Sequence, residues 1–345
     1  MSHDVYAILR DTLSGRRTFI VTDRNVERLV MPGLSDAVKG IGECPAFAIS
    51  PGEENKTIRT VEGIWRWLME NGATRQDLLL NIGGGMVCDT GGFAAATFKR
   101  GMSCANIATT LLAAADAAVG GKTGVNFGGV KNAVGAFAMP VFTDVLPEAF
   151  ATLPRGELLS GYGELLKMAL IGSAGMLRHL VSINPDQTDF DTLARLARQA
   201  AAMKMEIVEK DPQEAGLRRI LNFGHTAGHA IESLMLHRGK GVAHGVAVAW
   251  GIVVAMVLSR MVADGCRDDR YTVANAIVRP LFGPLPVSCD DYPELLSLMH
   301  SDKKHTGPDS VRFILLESPG NPIRDVDVSD DDITAAFDIA RDMLS

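Results

Sequence analysis

The densest chemistry in the chain lies at residues 222–232, which read Asn-Phe-Gly-His-Thr-Ala-Gly-His-Ala-Ile-Glu. On a helix, His225, His229 and Glu232 fall at i, i+4 and i+7 and share one face. Imidazoles and carboxylates are ligands for zinc and similar divalent ions. His244 supplies another imidazole twelve residues further on. A lone histidine is most often a core side chain bonded to a carbonyl, but four of the eight histidines, His225, His229 and His244 among them, fall within these twenty residues. Spacing alone nominates His225 and His229 as the ligand pair. Glu164 and Lys167 sit three apart in Leu-Leu-Ser-Gly-Tyr-Gly-Glu-Leu-Leu-Lys-Met-Ala-Leu-Ile-Gly. A surface pair at that spacing contributes a few tenths of a kcal/mol, about 0.2–0.5. Here apolar neighbours at nearly every helical offset leave little exposed face, and a buried carboxylate needs a cation or a metal. Glu164 is therefore placed to complete a site of two histidines and one glutamate, with a fourth position open.

A second constellation is built from glycine. The apolar run Leu78–Ile82 leads into Gly83, Gly84 and Gly85, then Asp89, Gly91 and Gly92, then the helical run Phe93–Phe98. Strand, glycines and helix together place backbone N–H groups and a helix N-terminus against a pyrophosphate, although the strict GxGxxG spacing is absent. Thr109, Thr110, Asp116, Gly120, Gly121 and Lys122 follow, adding hydroxyls, a carboxylate and an ammonium suited to ribose or phosphate.

The elements that must hold these residues differ between the two halves. Up to about residue 150, Thr18–Thr22, Pro45–Ile49 and Leu78–Ile82 read as buried strands, with a helix at Ile58–Asn71, which predicts an α/β layer with a parallel sheet. Beyond about residue 155, helical periodicity dominates at Glu157–Ile171, Phe190–Lys210, His225–Leu236, Gly245–Ala263 and Tyr271–Val278, and Val311–Leu316 is a lone strand-like run. No polar linker separates the halves, so a shared interface with a ligand cleft is the expectation.

Composition narrows the classes. The chain has 345 residues, enough for two domains. Its net charge of −7 lacks the footprint of a nucleic-acid binder. Gly is 35 of 345, an excess concentrated in the turns above. Five cysteines without a CxxC pair point to a reducing compartment, the cytoplasm, rather than a disulfide scaffold. The N-terminus shows no signal-peptide pattern. The longest apolar stretch, Val242–Leu258, contains His244 and is short for a membrane span, so it reads as a core helix.

With these residues in view, the chain resembles the 3-dehydroquinate synthases of the sugar-phosphate cyclase group. The blocks that carry the resemblance are GGGMVCDTGGFAAATFKRG (83–101), TTLLAAADAAVGGKTGVNFGGVKN (109–132), SGYGELLKMAL (160–170), GLRRILNFGHTAGHAIE (216–232) and HGVAVAWG (244–251). SPGEENKT (50–57) and SDKK (301–304) match more loosely. The resemblance implies a Rossmann-like α/β NAD-binding domain over 1–152 and a mainly α-helical metal-binding domain over 153–345, as a cytoplasmic homodimer. It implies Glu164, His225 and His244 as ligands of a divalent metal, zinc or cobalt, with His229 contacting substrate instead. NAD contacts would be Asp23, Asn25, Glu53, Lys56, Gly84, Gly85, Asp89, Thr109, Thr110, Leu112, Asp116, Lys122, Lys131 and Thr152. Substrate contacts would be Arg100, Asp116, Lys122, Asn132, Lys167, Lys204, Arg218, Asn222, His229 and Lys304.

The implied substrate, 3-deoxy-D-arabino-heptulosonate 7-phosphate, carries a carboxylate and a phosphate. Arg100, Lys122, Lys167, Lys204, Arg218 and Lys304 would be its cationic counterpart within an acidic chain. The implied reaction is transient oxidation by NAD, β-elimination of phosphate, re-reduction and intramolecular aldol closure to 3-dehydroquinate, with net lyase stoichiometry, in the shikimate route to aromatic amino acids. Four positions depart from the family pattern. Ala117 and Ala118 follow Asp116 where a serine is usual, Gly163 replaces an alanine before Glu164, and Val246 stands where glutamate is frequent. Valiolone-type and deoxy-scyllo-inosose synthases share the frame, and VNFGGVKN (125–132) is compatible with them. A metal-dependent NAD alcohol dehydrogenase of the glycerol-dehydrogenase type is the competing reading from another class.

Overall fold

The computed structural model describes residues 4–301 and 310–345. The assignments read from sequence for Lys303 and Lys304 lie outside the described residues. The chain divides into two compact units. One runs to Pro154 and adds Asp189–Ala201; the other comprises Arg155–Thr188 and Ala202–Ser345.

The first unit is built on strands β1 (Thr18–Asp23), β2 (Ala46–Ile49), β3 (Leu78–Gly83), β4 (Ser103–Ala108) and β7 (Thr143–Val145), in the spatial order β2-β1-β3-β4-β7. Every pairing is parallel. Strands buried on both faces read as continuous apolar runs. Phe19, Val21 and Leu79 enter one core cluster, while Ile20, Leu78, Leu80 and Ile82 enter the other. Helices α1 (Val5–Gly15), α2 (Arg24–Leu29), α3 (Met31–Ala37), α4 (Ile58–Glu70) and α5 (Gly85–Thr97) belong to this unit. Thr57 caps α4 through its hydroxyl, and Trp67 of α4 meets Phe19 edge-on at 5.7 Å. An antiparallel hairpin, β5 (Lys122–Phe127) and β6 (Val130–Phe137), turns at Gly128 and Gly129, both at positive φ.

Helix α5 begins eight residues before the helical run read from sequence at Phe93. Gly91 and Gly92 look like helix breakers, but they lie inside the helix because space is denied to them. A Cβ on Gly91 would overlap the Asn81 amide, and one on Gly92 would come 2.6 Å from Thr123 Cγ2. Close approach overrides propensity there.

The second unit is helical: α6 (Arg155–Gly172), α7 (Ala174–Ser182), the latter part of α8 (Phe190–Lys210), α9 (His225–His237), α10 (His244–Ala263), α11 (Asp269–Val273), α12 (Arg279–Phe282), α13 (Tyr292–Ser301) and α14 (Asp330–Leu344). Val311–Leu316 is not a lone strand. It lies in β8 (Ser310–Ser318), paired antiparallel with β9 (Asn321–Ser329). The polar partner Asn-Pro-Ile-Arg-Asp-Val-Asp-Val-Ser, with Asp325 at φ 55, hides the strand signal. Helix α10 is apolar enough to cross a membrane, yet 72% of its apolar window is buried inside the protein, as a core helix requires.

Four glycines let α6, α9 and α10 meet backbone to backbone. A Cβ on Gly245 would lie 2.6 Å from the Ser160 carbonyl carbon, and one on Gly163 2.8 Å from that of Gly245. A Cβ on Gly251 would lie 2.6 Å from the Gly228 nitrogen, and one on Gly228 3.0 Å from Val248 Cα.

Candidate active site

In the first unit, the nucleotide residues expected from sequence fall on segments that follow the carboxyl ends of strands, the edge where open α/β sheets bind ligands. The order β2-β1-β3 puts the switch in strand order beside β1 and β3. Asp23 ends β1 and caps α2, its Oδ1 accepting the N–H groups of Asn25 at 2.8 Å and Val26 at 3.1 Å. After β3, Gly84 caps α5 with no side-chain acceptor, leaving the first amides of a 13-residue helix turned toward this edge. The turn is closely fitted, because a Cβ on Gly84 would meet Thr110 Cγ2 at 3.0 Å and one on Gly85 would meet Ala117 at 2.9 Å. The Thr109 amide donates to Gly83 O at 3.0 Å, and the Thr110 hydroxyl accepts the Ala113 amide at 3.1 Å. Leu112 caps the π-turn Ala113–Ala117 that carries Asp116, and Thr152 ends the 3-10 turn after β7.

Four more expected residues form one polar network. Lys56 is only 4% exposed, and its ammonium donates to Asp89 Oδ2 and Asn132 Oδ1, both at 2.6 Å. Asn132 adopts φ 52, and its amide donates to Asn126 Oδ1 at 2.8 Å. Asn126 in turn donates to Glu53 Oε1 at 2.9 Å. Sequence reasoning missed Asn126, which stands where the hairpin register shifts between Val125 and Phe127. Lys122 lines a small cavity with Asp89, Gly92 and Asn106, while Lys131 lies exposed on β6.

Arg100 does not join them. It is exposed, at φ 67, in the connection from α5 back to β4. A parallel crossover returns the chain to the amino end of the next strand. Arg100 therefore lies at the sheet edge opposite the nucleotide segments, and the structure does not group it with the other expected contacts.

In the second unit, α6 carries Glu164 and Lys167, which are 0% and 1% exposed, with Lys167 Nζ 2.5 Å from Glu164 Oε2. The surface-pair alternative is thus excluded by burial. His225 opens α9 just after Gly224, His229 lies one turn on, and His244 is the first residue of α10. The three rings stand 5.2–5.6 Å apart, and one nitrogen from each lies within 4.8 Å of the others. Nε2 of His225 and of His244 lie 3.5 and 3.4 Å from the same Glu164 Oε1. The other nitrogens are held as well: His225 Nδ1 is 3.2 Å from Phe223 O, and His244 Nδ1 is 3.0 Å from Glu232 Oε2. Glu232, placed with the ligands by spacing, here touches a ligand candidate from outside.

Burial keeps His225 neutral, its pKa well below the ordinary value despite Glu164. Burial also opposes charge on His244, but its hydrogen bonds to the Glu164 and Glu232 carboxylates outweigh it and push its pKa up to about 10, so the Nε2 proton is the one a bound divalent ion would displace. Two nitrogens converging on the oxygen of a buried carboxylate form the donor set that a divalent cation requires. Gly163 beside Glu164, Gly228 beside His229 and Gly245 beside His244 are three of the four glycines at the close helix contacts.

Lys204 on α8 and Arg218 are buried. Arg218 Nη1 donates to Pro212 O at 2.8 Å. Its loop is organised by Asp211, whose carboxylate accepts the amides of Ala215, Gly216 and Arg218 at 2.8–2.9 Å. Asn222 donates to Glu214 Oε1 at 3.2 Å. Asp211 and Glu214 were not singled out in the sequence. The only signal was an aspartate before Pro212 at the end of α8.

Comparison with known proteins finds matches over both halves of the chain. The family model for the 3-dehydroquinate synthase N-terminal region matches residues 46–160, and that for the C-terminal region matches 161–305. The 3-dehydroquinate synthase of Parabacteroides distasonis is 38% identical over 342 residues, covering 98% of this chain and 96% of its own. Among solved structures, a 2-deoxy-scyllo-inosose synthase complexed with carbaglucose-6-phosphate, NAD+ and Co2+ superposes with a TM-score of 0.84 at 23% identity, covering 99% and 95% of the two chains. A 2-epi-5-epi-valiolone synthase from Streptomyces hygroscopicus with NAD+ and Zn2+ bound gives 0.81 at 25%, covering 99% and 97%. The matches in sequence, which span both units, place this chain in the 3-dehydroquinate synthase family.

Proposed function

We propose that the protein converts 3-deoxy-D-arabino-heptulosonate 7-phosphate to 3-dehydroquinate and phosphate, with NAD and a divalent cation, zinc or cobalt, as its cofactors. The observation that carries this reading is the convergence of His225 Nε2 and His244 Nε2 on Oε1 of the buried Glu164, in a chain 38% identical to a 3-dehydroquinate synthase. Glu164, His225 and His244 would hold the cation, and Asp23, Asn25, Gly84, Gly85, Asp89, Thr109, Thr110, Leu112, Asp116 and Thr152 would line the dinucleotide. The residues present fit both groups, by donor chemistry at one site and by backbone cradles that a Cβ would fill at the other. When bound, NAD accepts and returns one hydride per turnover, and the cation acts as a Lewis acid on substrate hydroxyls.

The chain's own residues supply the rest. Lys167, Lys204 and Arg218 are buried cations suited to the substrate's carboxylate and phosphate. Asn222 adds an amide for orientation, and His229 offers an imidazole for moving a proton at a substrate hydroxyl. Asp211 holds the Arg218 loop so that the guanidinium is preorganised. Lys56 and Asn132 stiffen the hairpin that carries Lys122. An anionic sugar phosphate fits this set; the net charge of −7 fits no nucleic acid. The exposed apolar side chains of Phe127, Val130, Phe137, Met139 and Val141 support association with a second copy. A homodimer in the cytoplasm is the reading we adopt.

Purified protein with NAD and Zn2+ or Co2+ is expected to release phosphate from the heptulosonate phosphate without accumulating NADH. Release from sedoheptulose 7-phosphate or glucose 6-phosphate instead would reassign it to a sister cyclase, and net NADH from a polyol would reassign it to a dehydrogenase. Glu164→Ala and His244→Ala are each expected to lower bound metal well below His229→Ala. Equal loss in His229→Ala would restore the His225/His229 pair.

A further inference from the structure

The two imidazoles that face Glu164 are held from behind in different ways. His225 Nδ1 meets a backbone carbonyl, that of Phe223, which is fixed by the start of α9. His244 Nδ1 meets a side chain, Glu232 Oε2, at 3.0 Å. His244 is the first residue of α10, where no preceding turn of helix packs on its ring, and its side chain is 32% exposed. Little else on its own element restrains its rotation. A neutral imidazole carries its proton on either nitrogen, and the acceptor at one nitrogen decides which lone pair the other presents. Glu232 is 15% exposed and lies seven residues after His225 on the same helix face, which brings its carboxylate to the beginning of α10.

We propose that Glu232 is a positioning residue for His244. Its carboxylate accepts the Nδ1–H, fixes that tautomer and ring rotation, and so presents the Nε2 lone pair toward the position shared with Glu164 Oε1 and His225 Nε2. This rests on reading Glu164, His225 and His244 as cation ligands. It assigns Glu232 a role outside that set, unlike the one its helical spacing suggests. A carboxylate behind a ligating imidazole also raises its basicity, and loss of such a partner typically weakens metal binding about 10–100-fold.

The test is metal affinity rather than turnover. Zn2+ is titrated against a chromogenic chelator, and the Co2+ form is followed by visible absorption, for Glu232→Ala, Glu232→Gln and His244→Ala. Glu232→Ala is expected to weaken Zn2+ binding about 10–100-fold. Glu232→Gln keeps a carbonyl acceptor at nearly the same place, so it is expected to recover most of that loss and leave the Co2+ spectrum unchanged. Metal-free melting temperatures are expected to match wild type, which a merely structural role would not allow. Wild-type affinity in Glu232→Ala, alongside loss of binding in His244→Ala, overturns the positioning role while leaving the metal centre standing. Loss in Glu232→Gln as complete as in His244→Ala, with an altered Co2+ spectrum, also overturns it, because Glu232 would then be a ligand. Retained binding in His244→Ala overturns the metal-centre reading itself, whatever Glu232 does.

Discussion

Replacing Gly245 with alanine tests whether the close contact between α6 and α10 sets the candidate metal centre. A Cβ there would sit 2.6 Å from the Ser160 carbonyl carbon and 2.9 Å from its Cα, with the carbonyl oxygen nearer still. Ordinary contact begins at 3.4 Å, so the helices must separate by at least about 0.8 Å, and backbone cannot swing aside as a flexible side chain does. Overpacking of this kind costs about 1–3 kcal/mol, of which the better helix propensity of alanine returns up to about 1 kcal/mol. Glu164 rides on α6 and His244 precedes Gly245, so the same separation acts on the 3.4 Å gap between their facing atoms. Metal sites tolerate ligand distances within about 0.2 Å, so affinity should fall at least about tenfold, the equivalent of roughly 1.4 kcal/mol. The assay pairs chelator competition for Zn2+ with thermal melting. Gly156→Ala is the control, because it lies on the same α6 and its Cβ would meet nothing within 4 Å. It should keep wild-type affinity and melt no lower than wild type. If Gly245→Ala behaves like that control, the backbone contact does not set the site.

Other expectations follow from the first unit and the Arg218 loop. Gly91→Ala should overlap Asn81, disturb its 2.9 Å bond to Asn106 and weaken NAD binding, as read by calorimetry; unchanged affinity would detach the amide pair from the cofactor edge. Lys56→Met leaves Asp89 without its 2.6 Å partner and should lower unfolding free energy by about 3 kcal/mol in urea titration. An effect below about 0.5 kcal/mol would show the network to be solvated. Asp211 has a carboxyl held below its ordinary value by three backbone amides. A depressed folded value contributes stability above the unfolded value and loses it as pH falls through the folded one. The stability gap between wild type and Asp211→Asn should therefore be full at neutral pH and shrink as pH is lowered through and below 3.8. A gap independent of pH would contradict this.

Much of this architecture was legible in the sequence because its signals are local. Three strands of the parallel sheet announce themselves as apolar runs, and the glycines after Leu78–Ile82 mark the turn that opens α5. The candidate ligands were legible by type, but not by role. Helical spacing puts His225, His229 and Glu232 on one face, and only the docking of α10 shows that Glu232 meets the back of His244. Gly91 and Gly92 read as breakers because nothing local reveals that Asn81 and Thr123 occupy the space beside them. Arg100 follows a recognisable motif, yet its place at the amino edge of the sheet depends on the course of the crossover. Strand β9 was hidden because its polar half-exposed face carries no apolar period.

The contact between Gly245 and Ser160 also bears on the order in which the protein matures. The Gly245 amide donates to Ser160 Oγ at 3.0 Å across 85 residues of intervening chain. Contacts that far apart are formed only after the loop-closure entropy between them has been overcome. The local pair His225 and His229 can therefore exist on an isolated helix, whereas Glu164 and His244 meet only when α6 and α10 have docked. With Glu164 and His244 as ligands, tight uptake of a cation would be a late folding event, and the rate at which a refolding chain captures Zn2+ would report when this long-range contact closes.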